Sequence, residues 1–190
     1  MKSSKFGSFA LVLALSVVSC SKSGDVEPTY EGCATDEHKQ TFDDYESTDL
    51  VKTSAQASPK WLQPIPGPAA EDFPSNTPVK FSWQPTASNP GSTQGNISCS
   101  GAGPTAFRGA LRPQHETPVS GLVYDIKFSI GDHVSYRVIT SRQTTSVPAD
   151  IWADWAGQSI AVDLVSAQLL SNELSEGPYR SVSQLTFRVK

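Results

Sequence analysis

The stretch Leu122-Val123-Tyr124-Asp125-Ile126-Lys127-Phe128-Ser129-Ile130, followed by Gly131-Asp132 and then His133-Val134-Ser135-Tyr136-Arg137-Val138, decides the fold. Leu122, Tyr124, Ile126, Phe128 and Ile130 fall on one side of an extended chain, and Asp125, Lys127 and Ser129 fall on the other with Val123. Alternation with a period of two is the pattern of a strand with one face in a core. Gly131-Asp132 supplies a turn, after which Val134, Tyr136 and Val138 alternate with Ser135 and Arg137. The two runs predict a β-hairpin.

Working outward, the same alternation recurs in Val79, Phe81 and Trp83, in Ile160, Val162 and Leu164, and in Leu185, Phe187 and Val189. Pro64, Pro66, Pro68, Pro74 and Pro78 keep residues 62–78 extended and nonhelical, suited to an edge strand and a turn. One short helical turn is expected near Pro148 to Trp155. Strands at this spacing, without long helical patterns between them, predict an all-β fold: an antiparallel sandwich. Between them, the Gly-, Pro- and Ser-rich residues 86–120 form a long insertion with Cys99 in its middle.

These runs resemble the immunoglobulin-like β-sandwich, closest to the fibronectin type III class, over about Trp61 to Lys190. Phe81-Ser82-Trp83 is similar to that class's second strand with its core Trp, and Tyr124-Asp125-Ile126 to its third. The run from Ile160 to Ala167 is similar to the sixth, and Glu176-Gly177-Pro178-Tyr179 with Leu185-Thr186-Phe187-Arg188-Val189 to the last loop and closing strand. The resemblance implies a noncatalytic module for spacing or adhesion; fold alone assigns no ligand.

Lys2 and Lys5 precede an apolar run from Phe9 to Val18, which ends in Val17-Val18-Ser19-Cys20. The run is shorter than the roughly 20 apolar residues a membrane-spanning helix needs, so it reads as a cleavable export signal, residues 1–19. Val17-Val18-Ser19-Cys20 resembles the bacterial lipobox, which implies that the Cys20 sulfur carries a lipid and heads the mature protein. Two or more acyl chains are needed for stable anchoring, at about 0.8 kcal/mol per buried CH2. An ordinary secretory signal that happens to contain a cysteine is the rival reading. Ser21, rather than Asp, after the Cys implies sorting to the outer membrane in a Gram-negative host.

With Cys20 acylated, Cys33 and Cys99 remain, and in an oxidising compartment they are expected to form a disulfide. A metal site on Cys99 and His115 has no recognised ligand spacing, so no metal and no cofactor are expected.

Removing residues 1–19 takes away Lys2 and Lys5 and no acid, so the formal net charge moves from −4 to −6. Such a chain has no electrostatic reason to bind nucleic acid. Acids crowd residues 21–58, with scattered apolar residues, so residues 20–58 read as a disordered acidic tether and 59–190 as the folded domain. Asp43, Asp44, Glu46 and Asp49 lack the alternate spacing and turn Gly of an EF-hand.

No GxSxG elbow, HExxH, P-loop or dinucleotide fingerprint is present, which points away from an enzyme. His38, His115 and His133 are expected in tether or loop segments. Trp152 and Trp155, three apart around Asp154, either plug the end of the core or form a platform that stacks on a sugar. A hydrolase using Asp150, Asp154 and Asp163 is the remaining alternative. Phe107, Arg108, Leu111 and Arg112 hint at a covering flap or a docking loop in the insertion, and Asn96-Ile97-Ser98 is a sequon that means little in bacterial export. The reading that emerges is a lipid-anchored module of the cell envelope whose partner, beyond the membrane itself, is an envelope protein or a glycan.

Overall fold

The computed structural model describes residues 26–48, 51–54, 56–67, 70–85 and 119–190. They are mostly β-strand: β1 (Thr29–Glu31), β2 (Lys52–Thr53), β3 (Lys60–Gln63), β4 (Glu71–Phe73), β5 (Lys80–Gln84), β6 (Gly121–Ile130), β7 (His133–Thr140), β8 (Thr144–Ser146), β9 (Ser159–Leu170), β10 (Glu173–Arg180) and β11 (Leu185–Val189). Two helices, α1 (Asp36–Ser47) and α2 (Ala149–Asp154), complete the set.

The expected hairpin is β6 and β7, joined through Gly131-Asp132, with Ile126 opposite Val138 and Lys127 opposite Arg137. Gly131 sits at φ 57°, a left-handed conformation that glycine adopts without steric cost. β9 pairs with the other edge of β6 along ten positions, Gly121 opposite Leu169 through Ile130 opposite Ile160. β9 is long enough that β10 pairs with its C-terminal half and β11 with its N-terminal half. A smaller sheet, ordered β3-β5-β8, is antiparallel throughout.

The larger sheet departs from the antiparallel expectation. β1 runs parallel to β7, β2 to β10 and β4 to β11. Each of these three is only two or three residues long and comes from the chain before β5. They are edge additions, too short to show any alternation in the sequence.

Between the two sheets lies an aromatic core. Trp61 and Trp83 from the small sheet meet Phe81, Tyr124, Phe128, Tyr136 and Phe187, with Ile126, Ile160, Val162 and Leu164 filling in. Phe81 and Phe128 meet edge to face with centroids 5.1 Å apart, and Trp83 and Tyr124 at 5.2 Å, the geometry that aromatic quadrupoles favour.

Much of residues 20–58, expected as a disordered tether, is folded where it is described. β1 joins the sheet edge, and α1 lies over the face of the large sheet turned away from the small one. Phe42, 2% exposed, packs there in a second core with Cys33, Ala34, Val123, Ile139, Val165, Ala167 and Leu169. Gly32, at φ 69°, makes the bend between β1 and α1. A Cβ at Gly32 would collide with the Ser141 hydroxyl, the group that accepts the Cys33 N–H at 2.9 Å. The protein is therefore layered helix, sheet, sheet over this part of the chain.

α2 closes one end of the aromatic core. Trp152 stacks on Phe187 at 5.4 Å and 18°. Truncating Trp152 to Ala should lower stability by about 3–5 kcal/mol, read as an earlier urea midpoint. A loss below about 1 kcal/mol would mean that the ring is not a core element.

Candidate functional site

The polar face of the hairpin supplies the densest chemistry among the described residues. Because Asp125 and Lys127 are two apart on β6, and Arg137 lies on β7 opposite Lys127, all three side chains rise from the sheet toward α1. Asp125 is 1% exposed and Arg137 4%. Arg137 donates from Nε and from a terminal nitrogen to the two Asp125 oxygens, at 2.9 and 2.8 Å, the planar two-point pairing that suits guanidinium to carboxylate.

α1 adds its own charges. Lys39, Asp43 and Glu46 are spaced four and three residues apart and share a helix face with Phe42. Asp43 bridges Lys39 at 2.9 Å and Arg137 at 2.8 Å. Glu46 takes Lys127 directly and reaches Arg180 of β10 at 3.9 Å. Arg180 in turn holds Asp163 of β9 at 3.1 Å, and Lys127 stands 3.7 Å from Asp125. Four cations and four carboxylates thus form one neutral network between helix and sheet.

The electrostatics follow from burial and pairing. Burial pushes the Asp125 carboxyl above its ordinary range, opposed by the hydrogen bonds and charge of Arg137. For Arg137, burial works against the cation, but Asp125 and Asp43 more than offset it and hold the guanidinium above its usual value. Asp43 is also disfavoured by burial, yet hydrogen bonds from Lys39 and Arg137 prevail and lower its pKa. Asp163 is raised, chiefly by burial, with Arg180 pulling the other way. Each of these carboxylates faces a cation, and removing one partner would leave a buried charge uncompensated.

The residues singled out from sequence have different fates. Trp152 is 0% and Trp155 1% exposed. Trp152 Nε1 donates to the Pro74 carbonyl at 3.0 Å and Trp155 Nε1 to the Ser135 hydroxyl at 2.9 Å. Their ring faces are consumed by Phe187, Phe128 and each other, so they are not a sugar platform: three-residue spacing put both on the inner side of α2. Asp150 and Asp154 are exposed on α2, whereas Asp163 lies on the α1 side of the large sheet with Arg180, so the three carboxylates do not converge.

His38 is not in a tether or a loop. It is buried in the first turn of α1, where its Nδ1 accepts the Thr35 N–H at 2.8 Å, a capping arrangement at the helix start. His133 opens β7 and is exposed. Cys33 is disulfide-bonded. Cys20, Cys99, His115, Asn96, Phe107, Arg108, Leu111 and Arg112 lie outside the described residues, and so do the lipobox and the partner of Cys33. Among the described residues no group of three His, Cys, Asp or Glu side chains is placed to hold a metal ion, and no helix is long and apolar enough to cross a membrane.

What sequence reasoning missed is the pairing of Asp43 and Glu46 with Arg137, Lys127 and Arg180. A usable signal was present in the i, i+4 pair Lys39 and Asp43, and in charges of both signs on the reverse face of the hairpin.

Two outcomes follow. Asp125→Leu and Arg137→Met should each cost about 3–5 kcal/mol, while the double variant costs clearly less than either, because a lone buried charge is worse than an apolar pair. Equal or additive losses in urea titrations would contradict that pairing. The Asp43 carboxyl has a lowered folded pKa, so its contribution is complete above its ordinary value of 3.8 and is lost as pH falls through the lower folded value. The stability gap between the wild type and Asp43→Asn should therefore stay constant from neutral pH down to about pH 5 and narrow below 3.8. A gap that widens in acid would reverse the sign.

Compared with known protein families, with curated proteins and with solved structures, the chain matches none of them.

Proposed function

We propose that this chain is a bacterial lipoprotein of the cell envelope, anchored through lipid on Cys20, whose β-rich body is a noncatalytic binding or structural module. The observation that carries the reading is the ordered run of Lys2 and Lys5, the apolar Phe9 to Val18, and Val17-Val18-Ser19-Cys20. A short apolar run followed by a small residue and a cysteine suits export and acylation better than permanent insertion. The outer membrane is the destination that Ser21 favours in a Gram-negative host.

The body is, in this reading, an immunoglobulin-like sandwich of the fibronectin type III class. Its connectivity supports that. Setting aside the short additions β1, β2 and β4, the sandwich strands in chain order are β3, β5, β6, β7, β8, β9 and the β10–β11 segment. The first, second and fifth of these share one sheet, while the third, fourth, sixth and seventh share the other. That division resembles the two-sheet arrangement of immunoglobulin-like domains, with the fourth strand paired to the third instead of lying in the sheet of the first, second and fifth. Cys33 pairs with Cys99, since Cys20 is committed to lipid, and the bond ties the start of α1 to the 86–120 insertion. A noncatalytic role is supported by the ion network, in which the carboxylates nearest the sheet are occupied by arginine and lysine. The partner is an envelope protein or an envelope glycan met by a surface other than the buried Trp152 and Trp155.

Expression in a bacterial host followed by fractionation and mass spectrometry tests the reading. The wild type should enter the membrane fraction, with an acylated N-terminal peptide beginning at Cys20, and Cys20→Ser should lose both properties. A wild-type protein unmodified at that sulfur and absent from membranes would overturn it.

A further inference from the structure

α1 is an unusual helix to find docked on a sheet. It has 12 residues, near the lower limit at which isolated helices persist in water. Its first turn suits the helix dipole, with Asp36 and Glu37 at the positive end. Its last turn does not: Asp44 and Glu46 crowd the negative end, and no basic residue is present there. The missing positive charge comes from the sheet, where Lys127 and Arg180 meet Glu46 and Arg137 meets Asp43. Only one large apolar side chain of α1, Phe42, is fully buried.

The contrast with what flanks α1 is sharp. On the chain before it, β1 is hydrogen-bonded to β7, and on the chain after it β2 is hydrogen-bonded to β10. Beneath it, β6 is paired along both edges. α1 has no strand partner: it is held by the Phe42 ring, by the buried His38, by a hydrogen bond from the Asn172 amide to Glu37, and by ion pairs across the layer.

We propose that α1 is an electrostatically latched cover, which opens as a unit between β1 and β2 while the sandwich stays folded. Opening separates Asp43 and Glu46 from the sheet. It bares Val123, Ile139 and Val165 beside a charged patch of Lys127, Arg137 and Arg180 facing only Asp125 and Asp163. The latch answers to ionic strength, because Glu46 and its Lys127 and Arg180 partners are partly open to solvent and are screened over distances of about 10 Å at 0.1 M salt. This inference does not rest on lipidation and stands or falls in the soluble chain.

Hydrogen exchange on the full chain, followed by mass spectrometry at about 0.05 M and about 1 M sodium chloride, tests it. Peptides from 36–47 should exchange roughly tenfold faster at the higher salt, with peptides from 121–130 unchanged. Glu46→Gln should exchange fast in α1 already at low salt and respond less to added salt. Phe42→Ala should be faster at both salts and keep the full salt response. Exchange in α1 that ignores salt, or that accelerates only together with 121–130, would overturn the proposal.

Discussion

Arg137 and Asp125 clasp each other on the outward face of the β6–β7 hairpin, and they can do so only because something covers them. An ion pair that is 1% and 4% exposed has given up its hydration, a cost of several kcal/mol per ion that must be recovered from partners. The two-point pairing recovers part, and Asp43 supplies a further contact to the guanidinium. A helix carrying that carboxylate must therefore lie over the sheet. The same reasoning makes the sheet necessary to the helix, whose acidic last turn would oppose its own dipole without Lys127, Arg137 and Arg180 nearby.

Two chemically distinct cores result on the two faces of one sheet. Toward the small sheet the packing is aromatic, with Trp83, Phe81, Phe128 and Phe187 interlocked and α2 stopping the end through Trp152 and Trp155. Toward α1 it is mostly aliphatic and small, with Val123, Ile139, Val165, Ala167 and Leu169 around the ring of Phe42 and Tyr30 packed at its side, and ionic beyond. The first face supplies the bulk of apolar burial, and the second adds specificity of placement: a guanidinium facing two carboxylates accepts little sliding of the helix.

β5, β6, β7, β9 and β11 were legible because their inward residues alternate, and the hairpin with its Gly131-Asp132 turn is where that pattern is longest; β8, three residues long, carries no such pattern. β10 was harder, since Glu173 to Arg180 contains Gly177 and Pro178 and its pairing with β9 is broken by register shifts. α1 was invisible to apolar periodicity for a physical reason. Its buried face is His38, Phe42 and the paired charges Lys39, Asp43 and Glu46, so the usual apolar stripe reduces to one ring. Acids that look like a solvated linker are, in the folded chain, the counterions of basic residues on strands far away in sequence. The three-residue spacing of Trp152 and Trp155 did disclose a shared face of α2, but spacing cannot tell whether such a face looks in or out. The proposed lipid at Cys20 rests on sequence alone, on the order of residues leading up to the cysteine.

The claim that α1 is a layer of the folded body, and not part of a tether, is open to one direct measurement. In solution at low salt, nuclear Overhauser contacts should connect the Phe42 ring protons with the methyl groups of Val123, Ile139 or Val165, alongside helical shifts for residues 36–47. Random-coil shifts across that segment, with no contact from the Phe42 ring to the sheet, would contradict the account.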